Sequence, residues 1–140
     1  MLIKNATIAV TIALAVLGAG CAKKEVSFAK EVHPILQKNC LGCHAPGGEG
    51  YAASGFSVQT HESVVKGTKL GPVIVPGASV TSTLVILIEH KADPSINMPR
   101  GRMEPLLEHE KYLKDWKVPM LSAEEIKQIR AWIDQGAKNN

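Results

Sequence analysis

Apolar residues along this 140-residue chain fall into three patterns. Over residues 6–17 they run unbroken except for threonine. From Phe28 towards Cys40, and again from Ile126 to Ile133, they recur at helical spacing. Between those segments they come in short clusters punctuated by glycine and proline. In the first periodic segment Phe28, Val32, Ile35 and Leu36 share a face, and Ser27 is placed to cap its start. Pro34 lacks an N–H and clashes with the preceding turn. The pattern therefore predicts a short turn over residues 28–33, then a fresh helix with Pro34 in its first position, running through Gln37 into Cys40.

Residues 45–57, with four glycines and a proline, predict a loop. Residues 60–66 predict a short helix stopped by Gly67. Gly71-Pro72 and Pro76-Gly77 bracket Val73-Ile74-Val75 in another loop. Ser79 then caps a helix through Leu84, Leu87 and Ile88, continuing into Glu89-His90-Lys91 and ending before Asp93-Pro94. Residues 84–88 are apolar all round, so a buried strand competes with that helix. The last helix is the best specified. Ser122 and Glu125 make a capping box, Leu121 and Ile126 a hydrophobic staple, and Ile126, Ile129, Trp132 and Ile133 one apolar face ended by Gly136. The fold class expected is all-α, with no internal repeat and no low-complexity segment.

The leading apolar run belongs to export rather than to the fold. Lys4 supplies a short positive region, residues 6–17 the apolar one, and Gly18-Ala19-Gly20 the small residues before Cys21. Leu17-Gly18-Ala19-Gly20-Cys21 is similar to a bacterial lipobox, with leucine one place further from the cysteine than usual. That similarity implies lipidation of Cys21 as the first mature residue; an ordinary signal peptide or an uncleaved anchor helix are the alternatives. The expected organisation is a signal peptide over 1–20, a tether over 21–27, and one domain over 28–140. Losing Lys4 leaves 15 basic against 13 acidic side chains, and this small excess supports no nucleic-acid partner.

Cys40-Leu41-Gly42-Cys43-His44 carries the chemistry. In a C-x-x-C-H run two thiols can each add to a vinyl group of one haem, and the histidine that follows is held beneath the iron. Two other readings compete. A structural zinc site needs four protein ligands, and no second cysteine pair is present. A thioredoxin-like dithiol needs a βαβ setting that the patterning around Cys40 lacks. The three cysteines divide as one for lipid and two for haem, leaving none for a disulfide. Aromatic residues are few (Phe28, Tyr51, Phe56, Tyr112, Trp116, Trp132), and a buried haem would supply apolar filling to so small a core.

The chain from Phe28 to Ala137 resembles the planctomycete-type cytochrome c domain. The resemblance rests on Val32-His33-Pro34-Ile35-Leu36, the C-x-x-C-H run, Gly71-Pro72-Val73-Ile74-Val75-Pro76-Gly77, Met98-Pro99, Leu121-Ser122-Ala123-Glu124-Glu125-Ile126, and Ala131-Trp132-Ile133-Asp134-Gln135-Gly136-Ala137. It departs from the family between Arg100 and Met120, where an insert with Leu106, Leu107, Glu110, Leu113 and Trp116 predicts an extra helix before the C-terminal one. The resemblance implies a cytochrome c-like helical domain around one covalent haem c, in which the first and last helices pack together. Trp132 is then a packing anchor.

Cys40 and Cys43 are the haem attachment sites, and His44 is the proximal iron ligand. Met98 is the expected distal ligand because Pro99 follows it, as the resemblance implies, and because residues 93–99 form a loop able to reach over haem. Met103 and Met120 are the alternatives, and bis-histidine ligation through His61, His90 or His109 is a further one. His33 is expected to be structural. His44 should donate its other ring N–H to a backbone carbonyl, from a loop containing Pro72 or Pro46. The expected function is one-electron transfer in an extracytoplasmic respiratory or redox chain, not catalysis. The rivals are a five-coordinate haem sensor or enzyme subunit, and a haem subunit docked on a larger oxidoreductase. Redox proteins are the expected partners, with a lipid anchor in the membrane. Ala22 after Cys21 favours the outer membrane, on its periplasmic side.

Overall fold

The computed structural model describes residues 24–100 and 120–140. The signal segment, Cys21, Met103, His109 and the expected insert helix with Trp116 lie outside them. The described residues contain helices and no strand.

Ser27 opens the first element as expected, its hydroxyl accepting from the Lys30 N–H while its own N–H donates to Glu31. The chain does not break at Pro34. A π-turn over Phe28–Val32 flows directly into helix α1, His33–Cys40. In that turn the N–H groups of Val32 and His33 reach back five residues, to the carbonyls of Ser27 and Phe28. This wider turn accommodates a proline near the start of α1 without interrupting the helix, where the sequence predicts a turn and a new start.

Residues 45–57 hold a second helix that was expected to be loop. Helix α2, Glu49–Ser54, starts after Gly48 and ends at Gly55, which sits at φ 74°. The glycines there mark the ends of a helix built on Tyr51-Ala52-Ala53. Helix α3, His61–Lys66, matches expectation, with a Thr60/Ser63 capping box and Gly67 at its end. The segment around Ile74 is loop, as expected.

Ser79 does not cap the next helix. It begins a single 3₁₀ turn, Ser79–Thr81, and helix α4, Thr83–Ile88, starts after Ser82. Ser79 is instead fully buried and donates through N and Oγ to the two oxygens of Asp134, at 2.8 and 3.0 Å. Helix rather than strand is the outcome for residues 84–88, but α4 stops before Glu89. The N–H groups of His90 and Lys91 fold back onto Leu87 and Ile86, with His90 at φ 55° in the position where glycine usually closes a helix.

Helix α5, Ala123–Asp134, has the expected capping box from Ser122 and Glu125, and it closes with Gly136 at φ 100°. Its apolar face is the centre of the core. Ile129, Trp132 and Ile133 are fully buried with Val32 and Leu36 from the first segment, and the Phe28 and Trp132 rings lie 5.3 Å apart. First and last helical segments therefore pack together. The two ends of the domain are also sewn by hydrogen bonds: Val26 N to Gln135, Phe28 N to the Asn140 side chain, and Ala29 N to the Asn140 carbonyl.

Candidate functional site

Helix α1 delivers the C-x-x-C-H run on its last turn. The N–H groups of Cys43 and His44 both fold onto the Cys40 carbonyl, at 3.2 and 2.8 Å, so the two thiols and the imidazole leave a single tight turn. Cys40 packs against the core, while Cys43 is exposed. Burial, and secondarily the neighbouring Cys43, pushes the Cys40 thiol up to about 12. A reactive dithiol needs the opposite shift, because its nucleophile is a thiolate of depressed pKa. No cluster of three or more histidine, cysteine or acidic side chains able to hold a metal exists among the described residues, so a zinc site has no further ligands there.

The segment after the motif grips it. Tyr51 N donates to the Cys43 carbonyl at 2.9 Å, and Val58 N to the His44 carbonyl at 3.0 Å. The imidazole of His44 donates from Nδ1 to the Phe56 carbonyl at 3.3 Å and meets the Phe56 ring edge-on at 5.3 Å. A backbone carbonyl was expected there, but Phe56 supplies it, not a loop at Pro72 or Pro46. The reason is α2: that short helix turns the chain back so that residues 56–58 run beneath the motif. Burial lowers the His44 pKa, partly opposed by the Phe56 hydrogen bond, and so favours the neutral ring.

The four histidines among the described residues divide by which nitrogen is engaged. His33 places Nε2 against the Val58 carbonyl at 3.2 Å, His61 against Ala137 at 2.7 Å, and His90 against Met98 at 3.0 Å. His44 instead uses Nδ1, which leaves Nε2 for a metal. His33 also stacks on Phe28, in keeping with a structural role.

Met98 lies in a loop closed on itself. Its N–H donates to Leu87 and its carbonyl accepts from His90, while the buried Asn97 side chain pairs with both backbone groups of Ala92. The Met98 side chain packs against the same core as Cys40 and Leu41, whereas Met120 is 50% exposed. The residue types fit a covalent haem: two thiols at i and i+3 for its vinyl groups, an imidazole whose Nδ1 is already bonded for the iron, and a thioether, Met98, packed on the same core.

A model of the planctomycete cytochrome C family matches residues 40–100, from the first motif cysteine to just past Met98-Pro99. The match over residues 40–100 supports a planctomycete-type cytochrome c domain. No curated protein and no solved structure matches it. The match suggests haem c binding and electron transfer rather than catalysis, and the helical architecture agrees with it. Sequence reasoning missed three parts of the cytochrome c site: helix α2, the Phe56 carbonyl, and the close approach of Gly50 to His44. A Gly48-x-Gly50 spacing followed by Tyr51-Ala52-Ala53 was the available signal for the first.

Proposed function

We propose that this protein is a mono-haem c-type cytochrome that carries single electrons on the extracytoplasmic side of a bacterial membrane. The observation that carries the reading is the state of His44. Its Nδ1–H is spent on the Phe56 carbonyl, and the ring, whose neutral form burial favours, leaves Nε2 for iron directly after two thiols. In this reading Cys40 and Cys43 hold one haem by thioether bonds, His44 takes the proximal position and Met98 the distal one. Met98 is favoured over Met120 by its packing on the core. Haem supplies reversible one-electron chemistry at iron.

The chain's own groups then set how that chemistry is used. The Phe56 carbonyl fixes the tautomer and orientation of His44 and raises its basicity. A thioether at the distal side is soft and neutral, and favours the ferrous state. If His44 and Met98 both hold the iron, they would leave no coordination position for a substrate, and the chemistry would be that of a carrier rather than a sensor or enzyme. Residues 21–27 serve as tether, with a lipid on Cys21 holding the domain at the membrane, the outer one in view of Ala22, where redox proteins are its partners.

The test is spectroscopic. Acid–acetone should leave the pigment on the denatured chain, at one haem per polypeptide, and the ferric protein should show the weak near-infrared methionine–iron band. Met98→Ala should abolish that band. Bare thiols at Cys40 and Cys43 in correctly matured protein would overturn the reading, and rapid CO binding to the ferrous form would transfer it to the sensor class.

A further inference from the structure

Gly50 occupies the second position of α2, directly against the His44 ring. An ideal Cβ built on it would stand 2.8 Å from His44 Cε1, 3.0 Å from Nε2 and 3.1 Å from the Cys43 carbonyl oxygen. Real Cβ atoms essentially never come as close as the Cε1 contact, and the other two require the neighbour to give by a few tenths of an ångström.

The backbone gives no reason for glycine here. Gly47, Gly55, Gly67, Gly71, Gly77 and Gly136 have positive φ, but Gly50 is helical. Glycine is the weakest helix former after proline, so local propensity favours nearly any other residue at this position. What the position requires is space. The helix cannot step back to make room either, because Tyr51 N is bonded to the Cys43 carbonyl at 2.9 Å. On its other sides the ring is held by the Phe56 carbonyl at 3.3 Å and by the Phe56 ring.

We infer that Gly50 is a positioning residue for the proximal imidazole: its bare backbone and the Phe56 carbonyl together fix the plane of the His44 ring. A methyl at position 50 turns or displaces that ring at its Cε1–Nε2 edge, Cε1 being the nearer atom. This inference rests on the reading of His44 as proximal ligand. Gly42 is the natural comparison, because it lies inside the same motif and a Cβ there meets nothing within 4 Å.

The experiment compares the haem-loaded full chain with its Gly50→Ala and Gly42→Ala variants. The readouts are ferric EPR g-values, the paramagnetically shifted haem-methyl resonances and the midpoint potential, since the first two report the orientation of an axial imidazole. Gly50→Ala is expected to shift the g-values and reorder the methyl resonances, with a change in potential, while Gly42→Ala reproduces the parent spectrum. Parent-like g-values and methyl order in Gly50→Ala overturn the inference while leaving the haem reading intact. Absence of covalent haem from the parent chain itself overturns both, and is seen before any variant is made. Should Gly50→Ala not accumulate, His44→Ala is compared with the His44→Ala/Gly50→Ala pair for accumulation and protease resistance. Equal behaviour of the two supports a clash through the ring. A further loss in the double variant puts the clash at the Cys43 carbonyl and overturns the inference.

Discussion

Glu125 closes the cap of α5 and, with the same carboxylate, holds Lys38 of α1 at 3.0 Å. The Ser122 N–H bond is the main cause that holds its pKa down, from the ordinary 4.5 to about 2, with Lys38, the Ser122 hydroxyl and Asn39 adding to it. A folded pKa below the unfolded one means stability that is present above 4.5 and lost as pH falls towards 2. Glu125→Gln keeps a side-chain oxygen for the Ser122 N–H but removes the charge, and should cost about 0.5–1.5 kcal/mol at neutral pH, the net worth of one hydrogen bond. The gap from the parent should close across that acid window, as read from urea midpoints at stepped pH; a constant gap would contradict it. At His44 the decisive detail is which ring nitrogen is bonded. Sequence placed that histidine in the motif, but nothing in it tells Nδ1 from Nε2, because the partner is a main-chain oxygen twelve residues on. A carbonyl has no side-chain signature.

Helix α5 was legible nearly to its ends because its signals are local: a box, a staple, a 3.6-residue stripe and a glycine stop. Helices α2 and α4 were harder, for the same reason read in reverse. Gly48 and Gly55 look like loop composition until a six-residue helix is found between them. Ser79 looks like a cap until Asp134 is found beside it, 55 residues away. That pair explains why Trp132-Ile133-Asp134-Gln135-Gly136-Ala137 is so informative a string. Trp132 fills the core, Asp134 binds Ser79, Gln135 binds Val26, Gly136 turns the chain, and the Ala137 carbonyl receives His61. Asp134→Ala leaves the buried Ser79 N–H and hydroxyl without that partner and should destabilise the fold by about 1–3 kcal/mol. Trp132→Ala should cost more, about 3–5 kcal/mol. Chemical denaturation of the haem-loaded chain checks both, and the reverse ranking would argue against Trp132 as the centre of the core.

Taken whole, the domain needs both ends of the chain to close its core, since Phe28, Val32 and Leu36 pack with Ile129, Trp132 and Ile133. Its all-α class was readable from periodicity, whereas the meeting of its ends was an implication of the family resemblance. No helix among the described residues is long and apolar enough to cross a membrane. Attachment through a lipid on Cys21 is the proposal for holding this domain at a surface, and it is open to direct measurement. Cys21→Ala should move the protein from the membrane fraction to the soluble one on cell fractionation, with its visible spectrum unchanged. Equally tight membrane retention would remove the lipid from the proposal.

Residues 26–29 are clasped by residues 135–140, so the fold cannot lock until its final turn has been made. A polypeptide born from its N-terminus displays Cys40 and Cys43 well before Trp132 exists. During that interval the apolar face of α5 is missing from the core that α1 shares, and the thiol that ends up packed against it is less covered. Under the proposed export, the same exposure accompanies the unfolded chain to the side where haem would be attached, and the docking of α5 ends it.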